Sequence, residues 1–210
     1  MMDLSRDRVF LIGGGPSLKG FDFTRLRGKG VIVGINHSIF DLPCDIGVSI
    51  DQRFMLSTEF NDRLHVFSRH NKLLFLCPPK KLYDRVKKLL PFSLILGESS
   101  KFEWDESVVH RQGGTSGYAT LDILASHGAK DIVLFGFDYG IANGCQHYHD
   151  GYSWNKNRSD HNWRQWAYNF TPIAVELKKR SVRVLNASPQ SSIPCFSKVT
   201  IEEALDACHV

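Results

Sequence analysis

The stretch Gly113 to Gly140, GGTSGYATLDILASHGAKDIVLFGFDYG, leaves a chain that contains it few ways to fold. Gly113, Gly114, Thr115, Ser116 and Gly117 open it with small and hydroxyl-bearing residues. Tyr118, Leu121, Ile123, Leu124 and Ala125 then give one apolar helical face. Gly128 stops that helix, as a C-terminal glycine does. Ile132-Val133-Leu134-Phe135 is a continuous apolar run, the pattern of a parallel strand buried on both faces. Gly136-Phe137-Asp138-Tyr139-Gly140 leaves the carboxyl end of that strand, which is where open α/β sheets bind ligands. The stretch reads as a loop–helix–strand–loop unit with both ends built for a ligand.

Other strands can be placed around it. Val9 to Ile12 runs into Gly13-Gly14-Gly15-Pro16-Ser17, a glycine loop whose backbone N–H groups can approach a phosphate closely. The named phosphate motifs fail here: Phe21 stands where a P-loop needs lysine, and Leu18 where the dinucleotide fingerprint needs glycine. Gly30 to Ile35 is a second strand ending on Asn36-His37-Ser38, and Asp45 to Ile50 a third ending on Asp51. Three successive strands thus deliver Ser17, Asn36 and Asp51 at their carboxyl ends, and the recurrence points to a shared site. Further strands are expected at Asn71 to Cys77, Phe92 to Leu96 and Val182 to Asn186, with helices from Pro78 through Leu90, from Trp163 onward and from Ile201 to Ala207. Pro172 either kinks the Trp163 helix or begins a second one capped by Thr171. Ser99 to Gln112 is polar and reads as a loop.

These alternations specify one α/β domain over residues 1–210: Rossmann-like, with a mostly parallel sheet flanked by helices. The length suits one such core and is short for two. A net charge of +4, spread along the chain, suits an anionic nucleotide and lends no support to nucleic acid as the acceptor. Five cysteines without pairing-like spacing point to a reduced, cytoplasmic setting. Nothing in the sequence reaches the length of a membrane span. Residues 141–162, rich in glycine, histidine and aromatics, form a lid-like loop. Cys145, His147, His149 and His161 are residue types that bind zinc, but their one-apart spacing suits few closed sites, so no metal is expected. Trp163, Trp166 and Phe170 recur at helical spacing and read as core more readily than as a stacking platform.

The order strand–GGGPSL, strand–GINHSIF, DIGVSID, GGTSGYATLDILASHGAKDIVLFGFDYG, histidine loop, NASP resembles one superfamily across nearly the whole chain. It joins the CMP-sialic-acid-dependent sialyltransferases of glycosyltransferase family 42 to the archaeal-type 6-hydroxymethylpterin diphosphokinases, and the chain looks most like its short phage and prophage members. The resemblance implies a transferase with a nucleotide-sugar donor and a hydroxyl acceptor, with no cofactor required. It places the CMP moiety on Gly13, Gly14, Gly15, Pro16, Ser17, Asn36, Thr115, Ser116, Gly117, Gly136, Asp138 and Tyr139. Gly14 stands where those enzymes carry asparagine, which removes a side-chain contact to the donor. The alternatives are an ATP-dependent pyrophosphokinase, with magnesium on Asp51 and Asp138, and a nucleotide-binding protein without catalysis.

Sugar transfer needs an anion site for the departing phosphate and a base for the acceptor hydroxyl. The first suits Ser116 and the start of the helix that follows it, where orphan N–H groups and the dipole favour an anion. The second suits histidine, with its unperturbed pKa near ~6.5. No Asp-x-Asp metal motif is present, which favours a metal-free route. Both His161 and His147 could be the base. The sequence puts His161 first, because it lies where the loop hands over to a packed helix that would fix its backbone.

Overall fold

The computed structural model describes residues 4–63, 73–76, 84, 87–88, 93–95, 97–99, 108–110, 114–142, 144–150 and 159–206. Its strands are β1 (Arg8–Ile12), β2 (Val31–Ile35), β3 (Ile46–Ser49), β4 (Leu73–Leu76), β5 (Ser93–Ile95), β6 (Gly97–Ser99), β7 (Val108–His110), β8 (Asp131–Phe135), β9 (Arg183–Asn186) and β10 (Ser197–Lys198). Eight of them form one sheet in the order β10-β9-β8-β1-β2-β3-β4-β5, and each neighbouring pair runs parallel. Parallel strands need crossovers, and α1 (Ser38–Asp41), α2 (Gln52–Met55), α3 (Ser116–Ser126), α4 (Asp160–Tyr168) and α5 (Thr171–Lys179) lie in them, while α6 (Ile201–Asp206) follows the last strand. The fold is α/β and Rossmann-like, as the apolar runs require.

Alternation along the central strands splits the core in two. Val9 and Leu11 of β1, with Ile132 and Leu134 of β8, face a cluster that includes Tyr118 and Leu121 of α3 and Ile173 and Leu177 of α5. Phe10, Ile12, Val133 and Phe135 face the opposite cluster, with Phe54 and Met55 of α2 and Ala204 and Leu205 of α6. Both faces are covered, which is why these strands read as unbroken apolar runs. At the amino-terminal ends, the Asp131 carboxylate accepts bonds from Arg8 Nε at 2.8 Å and Arg183 Nε at 2.9 Å, joining β1, β8 and β9.

Several expectations change. The polar stretch Ser99 to Gln112 contains β7, which pairs in parallel with β6 in a separate two-stranded sheet. Three-residue strands are too short to show alternation in sequence. The helix expected from Trp163 begins at Asp160, so His161 lies in its first turn, and Ser159 in extended conformation precedes it. Pro172 does begin a second helix, with Thr171 inside it and Phe170 at the cap position. Most of the helix expected from Pro78 to Leu90, Trp104, and residues 151–158 of the lid-like loop lie outside the described residues. Among the described residues no helix is long and apolar enough to cross a membrane, and Cys44, Cys145 and Cys195 are free thiols.

Candidate functional site

From β1 the chain steps outward through β2, β3, β4 and β5, and on the other side of β1 lie β8, β9 and β10. The strand order therefore reverses between β1 and β8, and a crevice opens at their carboxyl ends. The two loops that leave there are bonded together: Gly13 N–H donates to the Phe135 carbonyl and Gly15 N–H to that of Gly136, both at 2.8 Å. The Asp138 carboxylate accepts from Ser17 Oγ at 2.8 Å and is buried, and burial lifts its pKa above the usual carboxylate range despite those Ser17 bonds.

A cavity of about 780 Å³ occupies the crevice, within the size range of small-molecule sites. Gly13, Gly14, Gly15, Asn36, Asp51, Thr115, Ser116, Gly117, Gly136, Tyr139 and His147 all line it, whereas Pro16, Ser17, Asp138 and His161 do not. Thr115 caps α3, its Oγ1 accepting from Tyr118 N–H at 3.3 Å and from the Tyr139 hydroxyl at 2.9 Å. Burial raises the Tyr139 phenol above its ordinary pKa, so it stays a neutral donor. The first amides of a helix have no intrahelical partner, and α3 begins at Ser116 and Gly117, both in the cavity wall. Asn36 and Tyr139 both adopt the left-handed backbone region, at φ 51° and 50°, a conformation uncommon for such residues and frequent at ligand sites.

The two candidate histidines part company. His161 is exposed on α4 and outside the cavity wall. His147 is in that wall, with Nδ1 3.2 Å from the Gly14 carbonyl oxygen, and Tyr148 N–H donates to the same oxygen at 3.1 Å. The described part of the loop, 144–150, is thus strapped onto the glycine loop. Asp51 lines the cavity but its carboxylate caps α2, accepting from Arg53 N–H at 2.9 Å, while that of Asp138 is engaged by Ser17. Among the described residues no group of three His, Cys, Asp or Glu converges as metal ligands. The zinc cluster considered from sequence therefore has no such arrangement there.

No family model matches the chain, and no curated protein matches it by sequence. Solved structures do. It is similar to the sialyltransferase CstII from Campylobacter jejuni in complex with cytidine-5'-monophosphate, with a TM-score of 0.61 and 16% identity over 97% of this chain and 88% of that one. CstII with a trisaccharide acceptor and CMP gives 0.56 at 13% identity, covering 97% and 89%. The monofunctional alpha-2,3-sialyltransferase Cst-I from Campylobacter jejuni gives 0.56 at 12%, covering 100% and 83%. The chain shares the fold of these sialyltransferases.

Within this sialyltransferase fold, sequence reasoning missed several parts of the site. Trp163 and Trp166 line the cavity besides packing the helix, Trp163 meeting Tyr139 edge-on at 6.1 Å and His147 at 5.7 Å. Gln52, Arg53 and Gln146 also reach the cavity. Ser49, fully buried at the end of β3, donates its Oγ–H to Asn36 Oδ1 at 2.9 Å, while Asn36 Nδ2 donates to Ser116 Oγ at 3.3 Å. Its position two residues before Asp51, facing inward, was the only available signal. Ser49→Ala strips a bond from a buried amide and is expected to cost about 1 kcal/mol, read as a lowered thermal midpoint. An unchanged midpoint would show that Asn36 is held by other contacts.

Proposed function

We propose that the chain is a metal-independent glycosyltransferase that takes a CMP-sugar-like donor and passes the sugar to a hydroxyl acceptor, with His147 as general base. The observation that carries this reading is convergence: one cavity at the strand-order reversal receives both a helix N-terminus and a histidine ring, in a fold shared with structures that hold CMP. The donor nucleotide lies along Gly13–Gly15 and Asn36, with its phosphate toward Thr115, Ser116 and Gly117. Helix-terminal interactions of this kind are worth about 0.3–1 kcal/mol each when exposed and more when dry. A neutral His147 that donates Nδ1–H to the Gly14 carbonyl keeps its lone pair on Nε2. The acceptor oxygen attacks the anomeric carbon, its proton passes to Nε2, and the bond to the phosphate breaks with the electron pair leaving on the nucleotide.

Thermal unfolding with CMP, UDP, GDP and ATP, each with magnesium and with chelator, tests the reading. CMP at 100 times its dissociation constant is expected to stabilise by about 2.7 kcal/mol, equally with chelator present. A shift produced by ATP and magnesium alone, with AMP released on turnover, would transfer the chain to the pyrophosphokinases. No shift with any nucleotide would reject a nucleotide site.

A further inference from the structure

The tripeptide His147-Tyr148-His149 is the top of a larger assembly. The rings of His147 and His149 stack with centroids 5.3 Å apart and planes 16° from parallel. Between them, the Tyr148 hydroxyl donates to Asp41 at 3.0 Å. Beneath His149 lies a third ring, His37, at 3.8 Å and 20°. His37 Nε2 is 3.0 Å from the Asp41 carboxylate and Nδ1 is 2.8 Å from that of Glu59. The Glu59 contact is an ion-pair distance without hydrogen-bond alignment, and a carboxylate beside each ring nitrogen favours the charged form of the imidazole.

We propose that His37 is a positioning residue: an imidazolium clamped between Asp41 and Glu59 that carries a column of three stacked rings and so holds His147 on the cavity wall. The proposal rests on the reading of His147 as the base. The surrounding charges fit it. Arg63, from the helical turn at 58–63, is 3.2 Å from Glu59 and 3.7 Å from Asp41 and stacks over Phe40 at 4.4 Å, so two carboxylates face two cations. Burial by itself would lower the His37 pKa, and the Asp41 and Glu59 carboxylates outweigh it and raise the value. For His149 burial comes first and the neighbouring His37 and His147 add to it, pushing the pKa down to about 3. A second cation directly above the first is disfavoured, so the middle ring stays neutral. The stabilisation from the His37 clamp is fully present below about pH 6.5 and is lost as the pH rises through the elevated value of the folded protein.

Histidine-labelled nitrogen NMR on the intact protein tests this. Both ring nitrogens of His37 are expected to remain protonated above the pH at which an ordinary imidazole titrates, and His149 to remain neutral at pH 5. His37→Gln is expected to lower kcat by about 10²-fold, the cost of a small misplacement of a catalytic group, with donor KM unchanged. His37→Arg, which restores a planar cation between the carboxylates, is expected to recover much of that loss. An ordinary titration of His37 in the unmodified protein would overturn the proposal whatever the protein catalyses, as would an unchanged kcat in His37→Gln. The two readings fail separately: an intact His37 imidazolium in a protein without transferase activity would sink the function assigned to His147 and leave the ring column standing.

Discussion

Replacing His147 by alanine is expected to lower turnover by about 10²–10⁴-fold, the usual contribution of a general base, while nucleotide affinity changes little. His147 meets the two requirements of a base that geometry can supply. It lines the cavity, and its Nδ1 lies 3.2 Å from the Gly14 carbonyl oxygen, a contact that selects the tautomer protonated at Nδ1, the one with its lone pair on Nε2. His161→Ala is expected to leave turnover near its original value, because that ring is exposed on α4 outside the cavity wall. Steady-state kinetics on the two variants separate the assignments: a loss confined to kcat marks a group acting in the transition state, and a loss confined to KM marks one that only binds. Full activity in His147→Ala, or a large kcat loss in His161→Ala, would remove His147 from the mechanism.

Gly15→Val is expected to destabilise the fold by about 3 kcal/mol, the upper end of ordinary overpacking costs, and to lower the thermal midpoint by roughly 6–12 °C. From sequence the glycine loop reads as room for a ligand, so a side chain there would be expected to abolish binding and spare the fold. The structure gives the space to the protein instead. A Cβ on Gly15 would overlap the Asp138 carboxylate and come 2.5 Å from the Gly136 carbonyl, and on Gly13 it would come 2.7 Å from that same oxygen. The Gly136 carbonyl belongs to the loop leaving β8 and is bonded to Gly15 N–H, so it cannot yield without separating the two loops that frame the cavity. Calorimetric unfolding of Gly15→Val decides the matter: a native-like midpoint would mean that the loop is free to move and that its glycines serve the ligand alone.

How far each element could be read from sequence depends on how local its cause is. The central strands were legible because both faces are covered, so burial leaves unbroken apolar runs between glycines. The start of α3 was legible because Thr115 caps it through a contact three residues away. Asn36, Asp51, Thr115 and Ser116 could be named as ligand-facing residues by position alone, and all four line the cavity. β7 could not be found in the polar stretch before Gly113, since three residues carry no periodicity. The sequence ranked His161 ahead of His147 because the anchorage of a ring was inferred from its nearest helix, whereas it is His147 that lies in the cavity wall. In the folded chain the anchor of His147 is the Gly14 carbonyl, 133 positions away, and Asp138 is engaged by Ser17 at a separation of 121. His37 reads in sequence as a polar residue after a strand, and only the folded chain stacks it under His149. By itself the sequence determined the α/β fold and the end of the sheet at which a ligand would sit, since these follow from patterns of burial and chain reversal repeated along the chain. Which histidine meets the cavity, which glycine is closed off by a carboxylate and which imidazole is stacked under the histidine loop were decided by tertiary structure alone, because each depends on two segments meeting across the strand-order reversal.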